Sequence, residues 1–188
     1  MTELLVYDSV TELPPYNTRQ VRTLLQDEGF LEEMPAEADA GAALALPGLH
    51  PKYFLVVDGR TVQSYGRTIW ARIEHLSQSY KLYGLGDVVT RVTRRKMGNG
   101  SRVVEAATAH IQGDSEADAA VLLTEPKLEA FYARYGWEHI SGMMISTSEG
   151  TSTLGASSFP MMLFVSATAR AARTSFLTHP LVLPGDEW

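Results

Sequence analysis

Cysteine is absent from all 188 residues, which excludes a disulfide framework, a thiolate metal site and a cysteine nucleophile. Any acyl transfer would need a route without a cysteinyl intermediate. A surplus of cations is missing too. The 16 Lys and Arg stand against 22 Asp and Glu, a formal net charge of −6, so the electrostatic grip that nucleic acid requires is not there. That balance suits a small cationic substrate better. Nowhere is there an unbroken apolar run of about 20 residues, the length that crosses a bilayer as a helix. The opening Met-Thr-Glu-Leu-Leu-Val-Tyr-Asp is too acidic, and its apolar run too short, for a signal peptide. A soluble, cytoplasmic protein with no membrane partner is expected. What the chain does have is 45% hydrophobic content, enough at this length for one substantial core and a single domain over residues 1–188.

Periodicity and punctuation divide the chain into alternating elements. Residues 3–10 read as a strand and 17–29 as a helix, with Asn17 as cap, Val21, Leu24 and Leu25 on its apolar face and Gly29 as terminator. Residues 34–48 read as a loop or frayed helix rich in Ala, Gly and Pro. Strands over 53–57 and 61–67 flank the turn signal Asp58-Gly59, the second strand continues over 68–76, and 79–90 pairs beside it. After a helix that ends near Gly113-Asp114, the pattern predicts a buried strand at 118–124, a helix at 126–135 with Pro126 in its first turn, and a strand at 137–145. A polar loop (146–158), a last strand (161–165) and a C-terminal tail (167–188) complete the chain. The order predicts a mixed, largely antiparallel sheet interrupted by helices.

The stretch from Arg94 to Val104, RRKMGNGSRVV, is the most distinctive in the sequence. Glycines at alternate positions, Gly98 and Gly100, allow a sharp turn and a close approach of backbone to a ligand. Val103, Val104, Ala107 and Ile111 then recur at the spacing of one helix face. A glycine turn that opens a helix presents free N–H groups and the positive end of the helix dipole, a natural seat for an anion. A Walker-type phosphate loop is excluded because no Lys-Ser/Thr follows the glycines. A dinucleotide fingerprint also fails, since Val103 holds the place of its third glycine.

Two blocks of the chain resemble the GNAT superfamily of N-acetyltransferases. One is the strand 88–90 followed by Arg95, Lys96, Met97, Gly98, Asn99, Gly100 and Ser101, which matches the family's R/Q-x-x-G-x-G/A pattern. The other is Phe131-Tyr-Ala-Arg-Tyr-Gly-Trp137, which matches its F-Y-x-x-x-G-F/W helix end. The resemblance implies an α/β (more narrowly α+β) fold, a mixed and mostly antiparallel central sheet flanked by helices. It implies acetyl-CoA as acyl donor and no metal. The pyrophosphate would rest on the loop 95–101, and the backbone of Val88, Val89 and Thr90 would pair with the pantetheine arm like an added strand. It further implies direct attack of a bound amine on the thioester, in keeping with the missing cysteine.

By the same resemblance Tyr132, four residues before Gly136, takes the place of the general acid that protonates the leaving thiolate; Tyr135 is a neighbour that geometry alone does not exclude. For the base, the family's fourth strand corresponds to Tyr83-Gly-Leu-Gly-Asp-Val88, where Asp87 is the one ionisable carboxylate. Alternation sets Asp87 on the face opposite Gly84 and Gly86 unless a bulge intervenes. Glu125 is a second candidate, Glu74 and His75 are weaker ones, and a water chain is the remaining route. The ending Gly185-Asp-Glu-Trp188 is similar to that of the aminoglycoside 2′-N-acetyltransferases, which implies a cationic amine acceptor held by Asp186 and Glu187. A small-molecule amine is thus the expected partner, with no nucleic acid, and a homodimer is one assembly open to the chain. An acyl-CoA-binding sensor or scaffold without turnover is the alternative function.

Overall fold

A continuous apolar run, Tyr53–Val57, followed by a Gly-containing pair makes the first hairpin, and the turn sets its register up to an irregularity at Val56/Val57. A computed structural model of the chain describes residues 1–31, 41–147, 158–185 and 188. Its strands are β1 (Thr2–Tyr7), β2 (Lys52–Asp58), β3 (Thr61–His75), β4 (Gln78–Thr90), β5 (Ala119–Thr124), β6 (Glu138–His139), β7 (Ile145–Thr147), β8 (Phe159–Phe164) and β9 (Leu181–Leu183). The helices are α1 (Pro15–Asp27), α2 (Asn99–Gly113), α3 (Glu129–Ala133), α4 (Ala167–Ala171) and α5 (Arg173–Thr178). Seven strands are hydrogen-bonded in the order β1-β2-β3-β4-β5-β8-β6, while β7 and β9 make a separate pair. β1 with β2, β2 with β3, β5 with β8 and β6 with β8 pair antiparallel, and β4 with β5 pairs parallel. This is the mixed, mostly antiparallel sheet with helices that the sequence predicts. The chain divides into two compact units, Met1–Thr68 with Asp87–Ala107 and Ile69–Gly86 with Thr108–Trp188.

In the first unit β1 runs antiparallel to β2 from Thr2↔Asp58 to Tyr7↔Tyr53, and β2 to β3 from Asp58↔Thr61. Gly59-Arg60 is therefore the two-residue turn, one position later than the sequence signal, with Gly59 at φ 58°. Val21, Leu24 and Leu25 of α1 are buried against Tyr53, Leu55, Val57, Val62 and Tyr65. Gln20 on the same helix clamps the hairpin, donating to the Arg60 carbonyl at 2.9 Å and accepting from the Val62 N–H at 3.1 Å. The helix starts two residues earlier than expected, at Pro15. Proline at the first helical position costs no hydrogen bond there, and Asn17 is buried inside the first turn and does not cap it. At the other end Gly29, at φ 76°, closes α1 as predicted: its N–H bonds to Gln26 and that of Phe30 to Leu25, the two-bond ending in which a left-handed glycine satisfies the last carbonyls.

In the second unit β5 is antiparallel to β8 along its whole length, from Ala119↔Phe164 to Thr124↔Phe159. Ile73, Tyr80 and Leu82 pack with Val121, Met162, Phe164, Phe176, Leu181 and Leu183 in one apolar cluster. The strand expected over 137–145 is reduced to Glu138–His139 and, at its last residue, the start of β7. Ile140 bonds to Pro160 and Met143 back to Ile140, so the chain turns at Gly142, φ 79°; the apolar residues there are buried by a turn, which spacing alone does not distinguish from a strand. The helix expected over 126–135 is a tight turn at Pro126–Leu128 followed by α3, ended by Gly136 at φ 88°. Residues 167–183, read as tail, carry α4, α5 and β9, and β9 pairs in parallel with β7. Most of the polar loop 146–158, the part of the loop 34–48 before residue 41, and Asp186 and Glu187 lie outside the described residues.

Candidate active site

In the first unit the end of β4 leads straight into the glycine loop. Ser64 donates to the Val89 carbonyl at 2.7 Å and shares a hydrogen bond of 2.8 Å with the Thr90 hydroxyl, and Arg91 N–H bonds to Gln63. A single tight turn at Val92–Arg94 follows. Lys96 and Gly98 then adopt left-handed backbone, φ 62° and 82°, and α2 begins at Asn99. The first intrahelical bond is Arg102 N–H to Gly98 O, 3.1 Å. The N–H groups of Gly98, Asn99, Gly100 and Ser101 thus precede the helical ladder and lack carbonyl partners within it. A Cβ at Gly98 would meet nothing within 4 Å, so the glycine serves the left-handed turn rather than clearance. Asn99 is buried and its Nδ2 holds the Arg94 carbonyl at 3.2 Å. Arg95 donates to the Thr90 carbonyl at 3.2 Å and pairs with Glu28, so part of its charge is already answered. Val92 and Met97 stand exposed, at 66% and 62%.

Asp87 breaks the alternation of β4. Its φ is 55°, the irregularity that the alternation argument allowed for, and its Oδ2 lies 2.8 Å from Nε of Arg67 with both side chains largely buried. Beside them the Tyr65 hydroxyl is fully buried without a hydrogen-bond partner among the described residues. Burial first, and the Asp87 charge second, push its ionisation well above the usual phenol range. Sequence reading missed Arg67. The available signal was an arginine at an inward position of an otherwise buried strand, where an unpaired charge is costly.

In the second unit the parallel pairing of β4 with β5 covers only Leu82↔Ala119, Tyr83↔Ala120 and Gly84↔Val121. Tyr132 on α3 is 6% exposed. Burial alone raises its pKa to about 12, and nothing among the described residues hydrogen-bonds its hydroxyl. The ring is held edge-on by Phe131, centroids 5.0 Å apart. Tyr135 is more exposed and contacts Phe131 and Arg134. Glu125 is half exposed and paired with Lys127. Glu74 points to solvent, while His75 is buried and stacked on Phe176, rings 4.4 Å apart and 5° from parallel, where burial lowers its pKa. A structural contact that no motif announces joins Trp188 to β4. A Cβ at Gly84 would come within 3.0 Å of both the Trp188 indole and Ile69, so glycine is what lets the indole rest on the strand.

No family model matches the chain, and no curated protein does. Solved structures do. A GNAT family N-acetyltransferase (YhbS) from Escherichia coli, in complex with CoA, is 14% identical with a TM-score of 0.61, covering 99% of this chain and 90% of that one. An aminoglycoside 6′-N-acetyltransferase complexed with coenzyme A is 14% identical with a TM-score of 0.59, covering 87% and 97%. A conserved protein of unknown function from Enterococcus faecalis, a probable N-acyltransferase, is 15% identical with a TM-score of 0.57, covering 74% of this chain but only 33% of that longer one. The strand order, the short parallel contact of β4 with β5 and the glycine loop that opens α2 sit, by these likenesses, in the fold of the GNAT acetyltransferases.

Proposed function

We propose that the chain is an acyl-CoA-dependent N-acetyltransferase that passes an acetyl group from acetyl-CoA directly to a primary amine of a small cationic acceptor. The carrying observation is the run of N–H groups from Gly98 to Ser101 ahead of the α2 ladder. Converging backbone donors at a helix start, with no acid in the loop, suit a pyrophosphate. The exposed side chains of Val92 and Met97 offer apolar cover beside them. By the resemblance, the backbone of Val88, Val89 and Thr90 at the end of β4 suits an extended amide-bearing arm.

Tyr132 is the proton donor in this reading. Its pKa of about 12 keeps the hydroxyl protonated at neutral pH, so it can hydrogen-bond a developing thiolate and then release its proton to it. Among the described residues, none of the candidate side chains is well suited to take the proton from the amine. Asp87 is bound to Arg67, Glu125 to Lys127, and His75 is stacked in an apolar cluster. Deprotonation is assigned to water. The cationic acceptor rests on Trp188, whose indole folds back onto Gly84 and can present an aromatic face to an ammonium group. The engaged carboxylates also favour a second reading, a sensor that binds acyl-CoA without turnover.

Thermal unfolding tests the coenzyme. CoA at about 100 times its dissociation constant should stabilise the fold by roughly 2.7 kcal/mol, a Tm rise of about 5–10 °C, and Gly98→Val should remove the rise. No shift in the native protein overturns the reading. Turnover separates enzyme from sensor: Tyr132→Phe should keep CoA affinity and lower kcat by about 10²-fold in a thiol-release assay over a panel of amines. Thiol release that no amine elicits favours the sensor.

A further inference from the structure

The apolar cluster of the second unit holds a titratable ring that the proposed chemistry does not use. His75, at the end of β3, is 4% exposed. Its imidazole lies flat on the Phe176 ring of α5, centroids 4.4 Å apart and planes 5° from parallel, and edge-on to Tyr80 of β4 at 6.5 Å. We propose that His75 is an acid-released latch: protonation of its ring frees the C-terminal segment 167–183, which carries α4, α5 and β9, from β3 and β4.

A neutral imidazole has one N–H and one bare nitrogen, whereas the charged ring has two N–H groups to satisfy. Nε2 is buried and has no hydrogen-bond partner among the described residues. Charging the ring therefore leaves a buried imidazolium N–H without an acceptor, which is costly. The segment that covers the ring offers no counter-charge. Residues 167–183 include no Asp or Glu, and their ionisable groups are Arg170, Arg173 and His179. Of the acids on the neighbouring elements, Glu74 points to solvent, Asp118 accepts the Lys81 N–H at 2.9 Å, and Glu138 pairs with Arg173. Tyr80 stays neutral, its pKa raised by burial first and by Asp118 second. Burial is the largest influence on His75 itself; the Ser175 carbonyl opposes it, the like charge of His179 adds to it, the Pro180 carbonyl opposes it, and the balance holds the ring below its ordinary 6.5. A depressed folded-state value gives docking that is complete above the free value and lost as pH falls through the folded one.

The rest of the grip on the segment is small. Besides Phe176 its buried anchors are Ala169, Leu181 and Leu183, the ladder partner of β9 is the three-residue β7, and the Arg173–Glu138 pair is half exposed and adds little. A segment held by so few anchors opens locally before the rest of its unit does. β9 runs on to Trp188, so release also lifts the indole from Gly84.

Amide exchange followed by mass spectrometry, corrected for the intrinsic effect of pH on exchange, tests the latch. Between pH 7 and pH 5 the opening of α5 and β9 should increase by about three- to tenfold, the reach of one proton taken up on release, while β5 keeps its protection. By NMR the His75 ring should titrate below a free histidine. His75→Phe keeps a stacked ring and should make the opening independent of pH, and His179→Gln should weaken the dependence without removing it. Exchange and titration of the native protein need no variant, so a folding defect in His75→Phe does not shelter the latch. Opening that ignores pH, a His75 ring that titrates at or above the free value, or a pH dependence that persists in His75→Phe each overturns it. Loss of protection in β5 together with α5 also overturns it, because acid then unfolds the whole unit. None of these readouts involves a coenzyme, so the latch stands or falls separately from the acyltransferase reading.

Discussion

β4 carries one member of each of two buried ion pairs, and their surroundings differ more than their burial. In the second unit Lys81 Nζ lies 2.7 Å from Asp114, with the two side chains 8% and 19% exposed. Asp114 also accepts from the Tyr83 hydroxyl at 2.7 Å and the Glu116 N–H at 2.9 Å, and the ammonium sits 4.2 Å from the centroid of the Trp70 ring. In the first unit Arg67 and Asp87 are 10% and 18% exposed. Here the carboxylate hangs from a left-handed residue, and the Tyr65 hydroxyl close by is orphaned. A satisfied network in regular strand is what a structural strut requires. Strain beside an unmet polar group is what a fold tolerates where something else is served.

Removing one partner from the satisfied network should have the largest effect on stability. Lys81→Met strands Asp114 and should cost about 3 kcal/mol, a Tm fall of about 6–12 °C by calorimetry. The pH dependence has a definite sign. Burial alone would raise Asp114, but the hydrogen bonds from Lys81, Tyr83 and the Glu116 backbone outweigh it and hold the carboxyl at about 2, against 3.8 when free. A depressed folded-state value gives stability that is present above pH 4 and lost as pH falls towards 2. That acid-sensitive part should be missing from Lys81→Met. An unchanged acid profile would deny that the pair is the strut.

A smaller effect tests whether strain alone marks function. Leu76 and Ser77 are also left-handed, φ 48° and 62°, in the two-residue turn between β3 and β4, and Leu76 is 57% exposed. Nothing is served there, so Leu76→Asn with Ser77→Gly should stabilise by about 1 kcal/mol, a Tm rise of about 2–4 °C. The smallest effect is expected at Asp87. Asp87→Asn keeps a side chain that tolerates left-handed backbone and should leave turnover within about threefold, with the acidic limb of the pH–rate profile in place. Loss of that limb with a drop of about 10²-fold would instead make Asp87 the base.

What was legible in the sequence was whatever a local pattern encodes. The β2–β3 hairpin, the terminator Gly29 and the glycine turn that opens α2 each follow from spacing and from the backbone needs of glycine, whereas Tyr132 was singled out from Tyr135 by the family resemblance alone. The start of α1 was misplaced because Asn17 looks like a cap, whereas Pro14-Pro15 sets the start and Asn17 is buried. Residues 140–145 are apolar enough to read as a strand, but Ile140 and Met143 are buried around a turn at Gly142 and strand resumes only at Ile145. The elements in 167–183 were not read because each is short and owes its burial to distant partners, Phe176 to Tyr80 and His75, and β9 to β7. In the candidate site the loop was legible, but the pairing of Arg67 with Asp87 and the rest of Trp188 on Gly84 were not. They are contacts between residues far apart in sequence, and no single-sequence spacing reports those.

The strand order also sets a timetable for synthesis. β8 lies between β5 and β6, and β9 is the partner of β7. When β5 and β6 have left the ribosome, the strand that joins them has yet to be made. The apolar edge of β5, Ala119–Thr124, is then an open template, and non-local pairing of this kind forms slowly. Until residues 159–183 emerge the second unit cannot close, and in that interval the nascent chain is most exposed to misassociation and most dependent on chaperones.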